Sequence, residues 1–147
     1  MRSTPGIAMA VIALACLPAI GAPMSKDDYR DAKKRIAAEY LAERQQCGGG
    51  YGHAYNLCVA HAHGTRDVAK AELEAAYKPS ASHYYDAAVA RAKSGYAIAK
   101  EECEDKRGAE KKACNAEAKV AYDRARAEAK TALAAGKAEE AAKRPGR

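Results

Sequence analysis

The sequence predicts an all-α protein of two tandem helical hairpins, on the evidence of its composition and of an internal repeat. Ala, Glu, Lys, Leu and Arg supply 81 of the 147 residues, a composition typical of long helices and coiled coils. Phenylalanine and tryptophan are absent, and only ten large aliphatic residues follow position 22. Because burial stabilises a fold in proportion to apolar area, an all-β fold, a Rossmann domain or an enzyme with a deep apolar pocket is excluded.

The repeat has a period of 56 residues and contains no gaps. Alanine matches are expected by chance in this composition, whereas matches of tyrosine, cysteine and glycine are not. The informative pairs are Tyr29 with Tyr85, Tyr40 with Tyr96, Cys47 with Cys103, Gly52 with Gly108, and Cys58 with Cys114. This register indicates an internal duplication.

Each copy has the pattern of a helical hairpin, the first over residues 23–79 and the second over residues 80–135. Before each turn, tyrosine and cysteine recur at helical spacing, as in Tyr85, Val89, Ala92, Tyr96, Ala99 and Cys103. After each turn, alanine dominates the stripe, so the two backbones can approach closely while tyrosine supplies ring area. The hairpins are expected to form an elongated or a four-helix arrangement.

Local signals set the helix boundaries. Ser25 lies three residues before Asp28, which is typical of a capping box, and Ser80 or Ser82 can cap the helix that follows Pro79. The Gly48–Gly50 run and Gly108 mark the two turns. Beyond residue 135 the pattern weakens, so residues 136–147 are expected to be a polar tail that frays.

Residues 1–22 have the features of a signal peptide. A positive start is followed by an apolar run from Ile7 to Leu17, too short for the roughly 20 residues of a membrane span, and Ala19-Ile20-Gly21 offers a cleavage site. Cleavage would leave a periplasmic or secreted chain with a net charge of +5 and no transmembrane span. The alternative is a lipoprotein anchored through Cys16, because Ala13-Leu14-Ala15-Cys16 loosely resembles a lipobox.

Four cysteines, Cys47, Cys58, Cys103 and Cys114, remain after cleavage and suit two disulfides in an oxidising compartment. In a continuous helix, positions eleven apart are separated by about 16 Å, whereas a disulfide requires Cα atoms within about 4.4–6.8 Å. A turn between the two cysteines of each copy removes this conflict. The preferred pairing is therefore Cys47–Cys58 with Cys103–Cys114, and bridges between the copies are the alternative.

Metal binding is the other interpretation of these cysteines. The first copy adds three histidines, so the candidate ligands are Cys47, His53, Cys58, His61 and His63. The second copy keeps the cysteines but has Ala109, Glu117 and Lys119 at the histidine positions. A feature shared by both copies is better explained by folding, so no resident metal or cofactor is expected.

Charge patterning favours a solvated surface over a catalytic site. Carboxylates alternate with Lys and Arg along the helices, and no nucleophile–base arrangement stands out, so no enzyme and no catalytic residue is expected. Basic clusters at Lys33–Arg35, Lys106–Arg107 and Lys111–Lys112 could meet an anionic envelope component. Another protein and self-association are further expectations, whereas no nucleic-acid reader motif is present.

Phrases along the whole mature chain resemble a group of uncharacterised Ala/Lys-rich exported proteins of Gram-negative bacteria, some of which are labelled TolA-like by composition. The phrases are Tyr85-Asp86-Ala-Ala-Val-Ala, the run from Tyr96 to Cys103, and the run from Lys70 to Ser80. The resemblance implies export and a duplicated hairpin, and it implies no activity. We expect an exported, non-enzymatic envelope protein with a structural or binding role. The alternative is a periplasmic metal-binding or stress-protective protein that uses the His/Cys-rich turn.

Overall fold

The computed structural model describes residues 23–144 and confirms the all-α prediction. These residues form four α-helices, with no strand among them: α1 (Lys26–Gln46), α2 (His53–Tyr77), α3 (Ala81–Glu102) and α4 (Gly108–Ala142). A short 3-10 turn, Cys103–Asp105, follows α3. The predicted signal peptide, with Cys16, and the last three residues lie outside the described residues. We refer to α1 with α2 as the first half and to α3 with α4 as the second half.

Serine side chains cap α1 and α3, as the sequence predicts. The backbone N–H of Asp28 donates to Ser25 Oγ over 3.1 Å, and that of His83 donates to Ser80 Oγ over 3.1 Å. Each bond satisfies one of the amides that a helix start leaves without an intrahelical partner.

Glycines in the left-handed region precede or begin the other two helices. Gly52, before α2, has a φ of 103°, and Gly108, the first residue of α4, has a φ of 53°. Side chains with a Cβ rarely adopt such angles, so both turns require glycine at the matched position of the repeat.

The four helices lie side by side in chain order. α1 contacts α2, α2 contacts α3, and α3 contacts α4. On α2, Arg66 reaches α1 while Gly64 faces α3. Residues two apart on a helix point about 200° apart, so α1 and α3 occupy opposite sides of α2. The result is an open layer of helices.

Small residues form the core of this layer. The buried apolar residues are Ala32, Ala62, Leu73, Ala75, Ala81, Ala87, Cys103, Ala118 and Ala129. Helices α2 and α3 approach closely at Gly64, where an added Cβ would be 2.0 Å from Ser94 Oγ and 3.1 Å from Ser94 Cβ. Close backbone contact therefore replaces the large side chains that the sequence lacks.

Helix α4 extends beyond the boundary that the sequence predicts at residue 135. It continues to Ala142, and its last turns pack against the start of α3. A Cβ on Gly136 would lie 2.9 Å from the Cβ of Ala81, and Glu140 accepts a hydrogen bond from the Ala81 N–H over 2.5 Å. Residues 136–142 are therefore helical because tertiary contacts with α3 add to their Ala/Glu/Lys helix propensity.

Candidate functional site

The two turns lie at the same end of the molecule, which we call the turn end (residues 47–53 and 103–112). His53, the first residue of α2, contacts Asp105 of the second turn, with 3.0 Å between Nε2 and Oδ2. The Nδ1 atom of His53 is buried and has no hydrogen-bond partner. The contact joins the two halves at their turns.

Two cysteine pairs close these turns at disulfide distance. The sulfur atoms of Cys47 and Cys58 are 1.93 Å apart, and those of Cys103 and Cys114 are 1.89 Å apart. The corresponding Cα atoms are separated by 5.6 and 5.8 Å, within the range that a disulfide requires. Both pairs lie within a half, so no pair joins the halves.

The five candidate metal ligands of the first half do not converge. Cys47 and Cys58 lie against each other, His53 contacts Asp105, and His63 lies 3.3 Å from the Tyr40 hydroxyl. His61 is exposed. Within residues 23–144, no three His, Cys, Asp or Glu side chains are grouped as a metal site would require.

Tyrosine rings fill the contacts between the helices of each half. In the first half, Tyr29 stacks on Tyr77 with 4.2 Å between ring centroids, and Tyr40 packs against His63 at 5.2 Å. In the second half, Tyr96 stacks on Tyr122 at 5.1 Å. The sequence placed these tyrosines on the inner faces of its helices, and the structure adds their partners.

Far from the turn, the Glu74 carboxylate of α2 accepts a hydrogen bond from the Tyr29 hydroxyl of α1. Tyr29 Oη donates to Glu74, and this hydrogen bond, with the negative charge of Glu74, raises the pKa of Tyr29 above its ordinary value. Both effects oppose ionisation of the phenol. Tyr29 is therefore neutral at physiological pH and serves as a packing and hydrogen-bonding group.

The turn end carries exposed basic side chains. Lys106, Arg107 and Lys112 are exposed and form no ion pair within the described part of the chain. Lys111, by contrast, donates to Glu104 over 2.8 Å, and this hydrogen bond and its charge lower the pKa of Glu104. Tyr51, in the glycine-rich first turn, is 98% exposed. The turn end also contains the exposed carboxylate of Glu110, which these three cations outnumber. Together with the exposed Tyr51, this excess of positive charge suits an anionic surface.

A groove of about 840 Å³ runs between α2 and α3. Its apolar lining includes Val59, Ala60, Val89, Ala90 and Ala97, and its charged lining consists of Asp67, Asp86, Lys93 and Glu101. Three carboxylates against one ammonium group make this groove unsuitable for an anion. The turn end is therefore the better candidate for the anionic partner that the sequence suggests.

Sequence reasoning missed every contact between the halves. The pairing of His53 with Asp105, the approach of Gly64 to Ser94, and the groove all join α2 or its turn to the second half. Helical periodicity identifies the inner face of each helix but not the helix that covers it. Gly64, an isolated glycine inside a helical pattern, was the one available signal.

No protein-family model, curated protein or solved structure matches this chain. Among the helices within residues 23–144, none has the length and apolar character needed to cross a membrane.

Proposed function

We propose that this chain is an exported, non-enzymatic protein of the cell envelope with a structural or binding role. The observation that carries the proposal is the pair of cysteine-closed turns, because two disulfides persist in an oxidising compartment and are rare in the cytosol. The signal-like segment at residues 1–22 adds support from the sequence. The proposed location is the periplasm or the exterior, with lipid anchoring through Cys16 as the alternative.

The proposed architecture is a duplicated helical hairpin. Helices α1 and α3 have 21 and 22 residues, and each ends at the first cysteine of a pair. Helices α2 and α4 start at His53 and Gly108, and both cysteine pairs have a sequence separation of 11. The helix starts agree with the 56-residue register to within one residue, which supports the proposed duplication. Stapled turns compensate for a core of small residues.

The proposed ligand is an anionic component of the envelope, and the turn end is its binding surface. Lys106, Arg107 and Lys112 are exposed cations, and the His53–Asp105 contact joins their turn to the first turn, where Tyr51 is exposed. The groove between α2 and α3 has Ser94 and His63 in its lining, but His63 pairs with the Tyr40 hydroxyl and no hydrogen bond joins His63 to Ser94, so the groove gives no support to a nucleophile–base pair. The alternative of metal binding through the His/Cys-rich turn is weakened by the dispersal of its ligands.

Intact-mass analysis of the protein recovered from the periplasm tests the export proposal. We expect the mature chain to start near Ala22 and to lack four hydrogens relative to its reduced form. A chain starting at a lipidated Cys16 would support the lipoprotein alternative. Five free thiols in a protein that keeps its full N-terminus, and therefore Cys16, would contradict export and oxidation together.

Co-sedimentation with vesicles tests the binding role. We expect the chain to bind phosphatidylglycerol vesicles, to ignore phosphatidylcholine vesicles, and to dissociate as salt rises. Arg107→Glu should weaken binding, while Lys130→Glu, a charge reversal on the exposed surface of α4, should change it less. Equal effects of the two variants would show that net charge alone is responsible and would contradict a site at the turn end.

A further inference from the structure

Helices α2 and α3 contact each other through one side of each helix. The matching sides of α4 and α1, at the two edges of the layer, contact no other helix within residues 23–144. If the 56-residue register holds, α4 corresponds to α2 and α1 corresponds to α3. The side of α4 that matches the α3-facing side of α2 is therefore open, and so is the side of α1 that matches the α2-facing side of α3. The inference below rests on this proposed duplication and not on export.

The open side of α4 carries several small apolar residues, together with Arg124, which occupies the position that matches Val68. Val120, at the position that matches Gly64, is 68% exposed. It lies two positions from Ala118 and Tyr122, which pack toward α3, so it points to the other side of the helix. The neighbours on this side are also exposed: Ala113, Ala116 and Ala127. Two of them match Ala60 and Ala71 of α2.

The open side of α1 also carries exposed small apolar residues, next to the exposed Asp31–Lys34 ion pair. Ala38 matches Ser94, which packs on Gly64, and Ala42 matches Ile98, whose side chain also reaches Gly64. Both alanines are exposed, and their neighbour Leu41 is 59% exposed. Of the four large hydrophobic residues with high exposure in residues 23–144, none lines the groove, and two of them, Leu41 and Val120, lie at these two edges.

The two residues of an ion pair between α2 and α3 recur at the matching positions of α4 and α1. Within the chain, Arg91 of α3 binds Glu72 of α2. The matching residues are Arg35 of α1, which forms no ion pair in the described residues, and Glu128 of α4. Glu128 binds Arg124 of its own helix over 2.9 Å, but both side chains are more than half exposed, so water screens that pair. Glu128 is therefore available to Arg35 of a second copy.

We propose that copies of this chain associate head to tail, with α4 of one copy packed on α1 of the next in the order in which α2 packs on α3. The helices would lie further apart than α2 and α3, because Val120 stands where Gly64 allows close contact. The Arg35–Glu128 pair would take the place of Arg91–Glu72, and Val120 would pack against Ala38 and Ala42. Because the two surfaces differ, the contact is heterologous and produces a ring or a filament rather than a closed two-fold dimer.

Sedimentation velocity of the oxidised mature chain over a range of concentrations tests the proposal. We expect the wild-type mass to rise with concentration beyond a dimer. Val120→Glu should weaken association by about tenfold or more, because it buries a carboxylate against alanine. Arg35→Glu and Glu128→Arg should each weaken it by placing like charges together.

Charge exchange separates this arrangement from general aggregation. The double variant Arg35→Glu/Glu128→Arg should regain association, and an equimolar mixture of the two single variants should also associate. Lys130→Glu is the control and should leave association unchanged, and circular dichroism should show the same helix content in every variant.

A wild-type chain that stays monomeric at high concentration would overturn the proposal, as would a Val120→Glu variant that associates normally. Binding of a different protein or a small ligand to a monomeric chain would also overturn it. None of these three results would affect the export proposal, which the mass of the periplasmic protein tests separately.

Discussion

The two turns at one end of the molecule share a cysteine and glycine pattern but differ in how they are held. The first turn contains Gly48–Gly50 and the exposed Tyr51, and its cysteines are both half-buried. The second turn is a 3-10 turn, and its Cys103 is fully buried. Cys103 is therefore part of the core although residues 104–110 are exposed, whereas neither cysteine of the first turn is buried. One sequence pattern supports two degrees of burial because the surrounding helices differ.

The same difference extends into the tyrosine contacts. Tyr40 in the first half is covered by the guanidinium of Arg66, 4.4 Å from its ring centroid. Tyr96, 56 residues later, is covered by the ring of Tyr122. The matched tyrosines thus keep their place on the inner face while the partner changes from a cation to an aromatic ring. Both a cation and an aromatic ring interact favourably with the face of a tyrosine ring.

Removal of the cysteine pairs should have the largest effect on stability. Both pairs close loops of equal length, so the chain-entropy contribution is the same, roughly 3 kcal/mol. Cys103→Ala with Cys114→Ala should cost about 1 kcal/mol more than Cys47→Ala with Cys58→Ala, because only Cys103 is completely buried. Urea unfolding followed by circular dichroism measures both. Equal costs would show that the buried sulfur contributes nothing beyond loop closure.

Adding a methyl group where the two halves meet should have the next largest effect on stability. Gly64→Ala would place a Cβ against Ser94, and we expect the free energy of unfolding to fall by roughly 1–2 kcal/mol despite the better helix propensity of alanine. Gly95→Ala is the matched control. Its Cβ meets nothing within 4 Å, so it should stabilise the chain by about 0.5–1 kcal/mol. Thermal unfolding distinguishes them, and stabilisation by both would contradict the close contact.

Exchange of the tyrosine partners should have a smaller effect. Tyr122→Arg should cost about 1 kcal/mol, since it removes the stacked ring from Tyr96. Arg66→Tyr, the reverse change in the first half, should alter stability by no more than about 0.5 kcal/mol, because a ring replaces the cation on Tyr40. Urea unfolding of both variants is the measurement. A larger cost for Arg66→Tyr would show that the two sites are not interchangeable.

The smallest expected effect concerns how the stability of the fold depends on pH through the second turn. The hydrogen bond from Lys111 lowers the folded-state pKa of Glu104, so this carboxylate stabilises the fold above its unfolded pKa, about 4.3. The contribution disappears as pH falls through the lower, folded value. Glu104→Gln should therefore flatten the acid side of the stability profile. Gly48 occupies the matched position of the first turn, which has no such carboxylate to titrate.

The sequence predicted much of each helix and little of how the halves meet. Capping by Ser25 and Ser80 was predictable because a cap involves residues within three positions of each other. The end of α4 was not, because Gly136 and Glu140 are held by Ala81, which lies far away in the sequence. The His53–Asp105 contact at the candidate site was missed for the same reason. Local patterns encode local geometry, whereas contacts between distant segments require the packed structure.

The sequence by itself determined the all-α class, the glycine positions at the helix starts and the tyrosines that pack between helices, although Thr65, Ala76 and Ala121 of the predicted inner faces are exposed. Those properties follow from composition, glycine positions and helical periodicity, all of which act over a few residues. Only the tertiary structure decided that α2 packs on α3 through Gly64, that Cys103 is buried while the first turn is exposed, and that the layer stays open at Val120. These features depend on which surfaces meet, and a chain whose core is mostly alanine offers few large side chains to specify that choice.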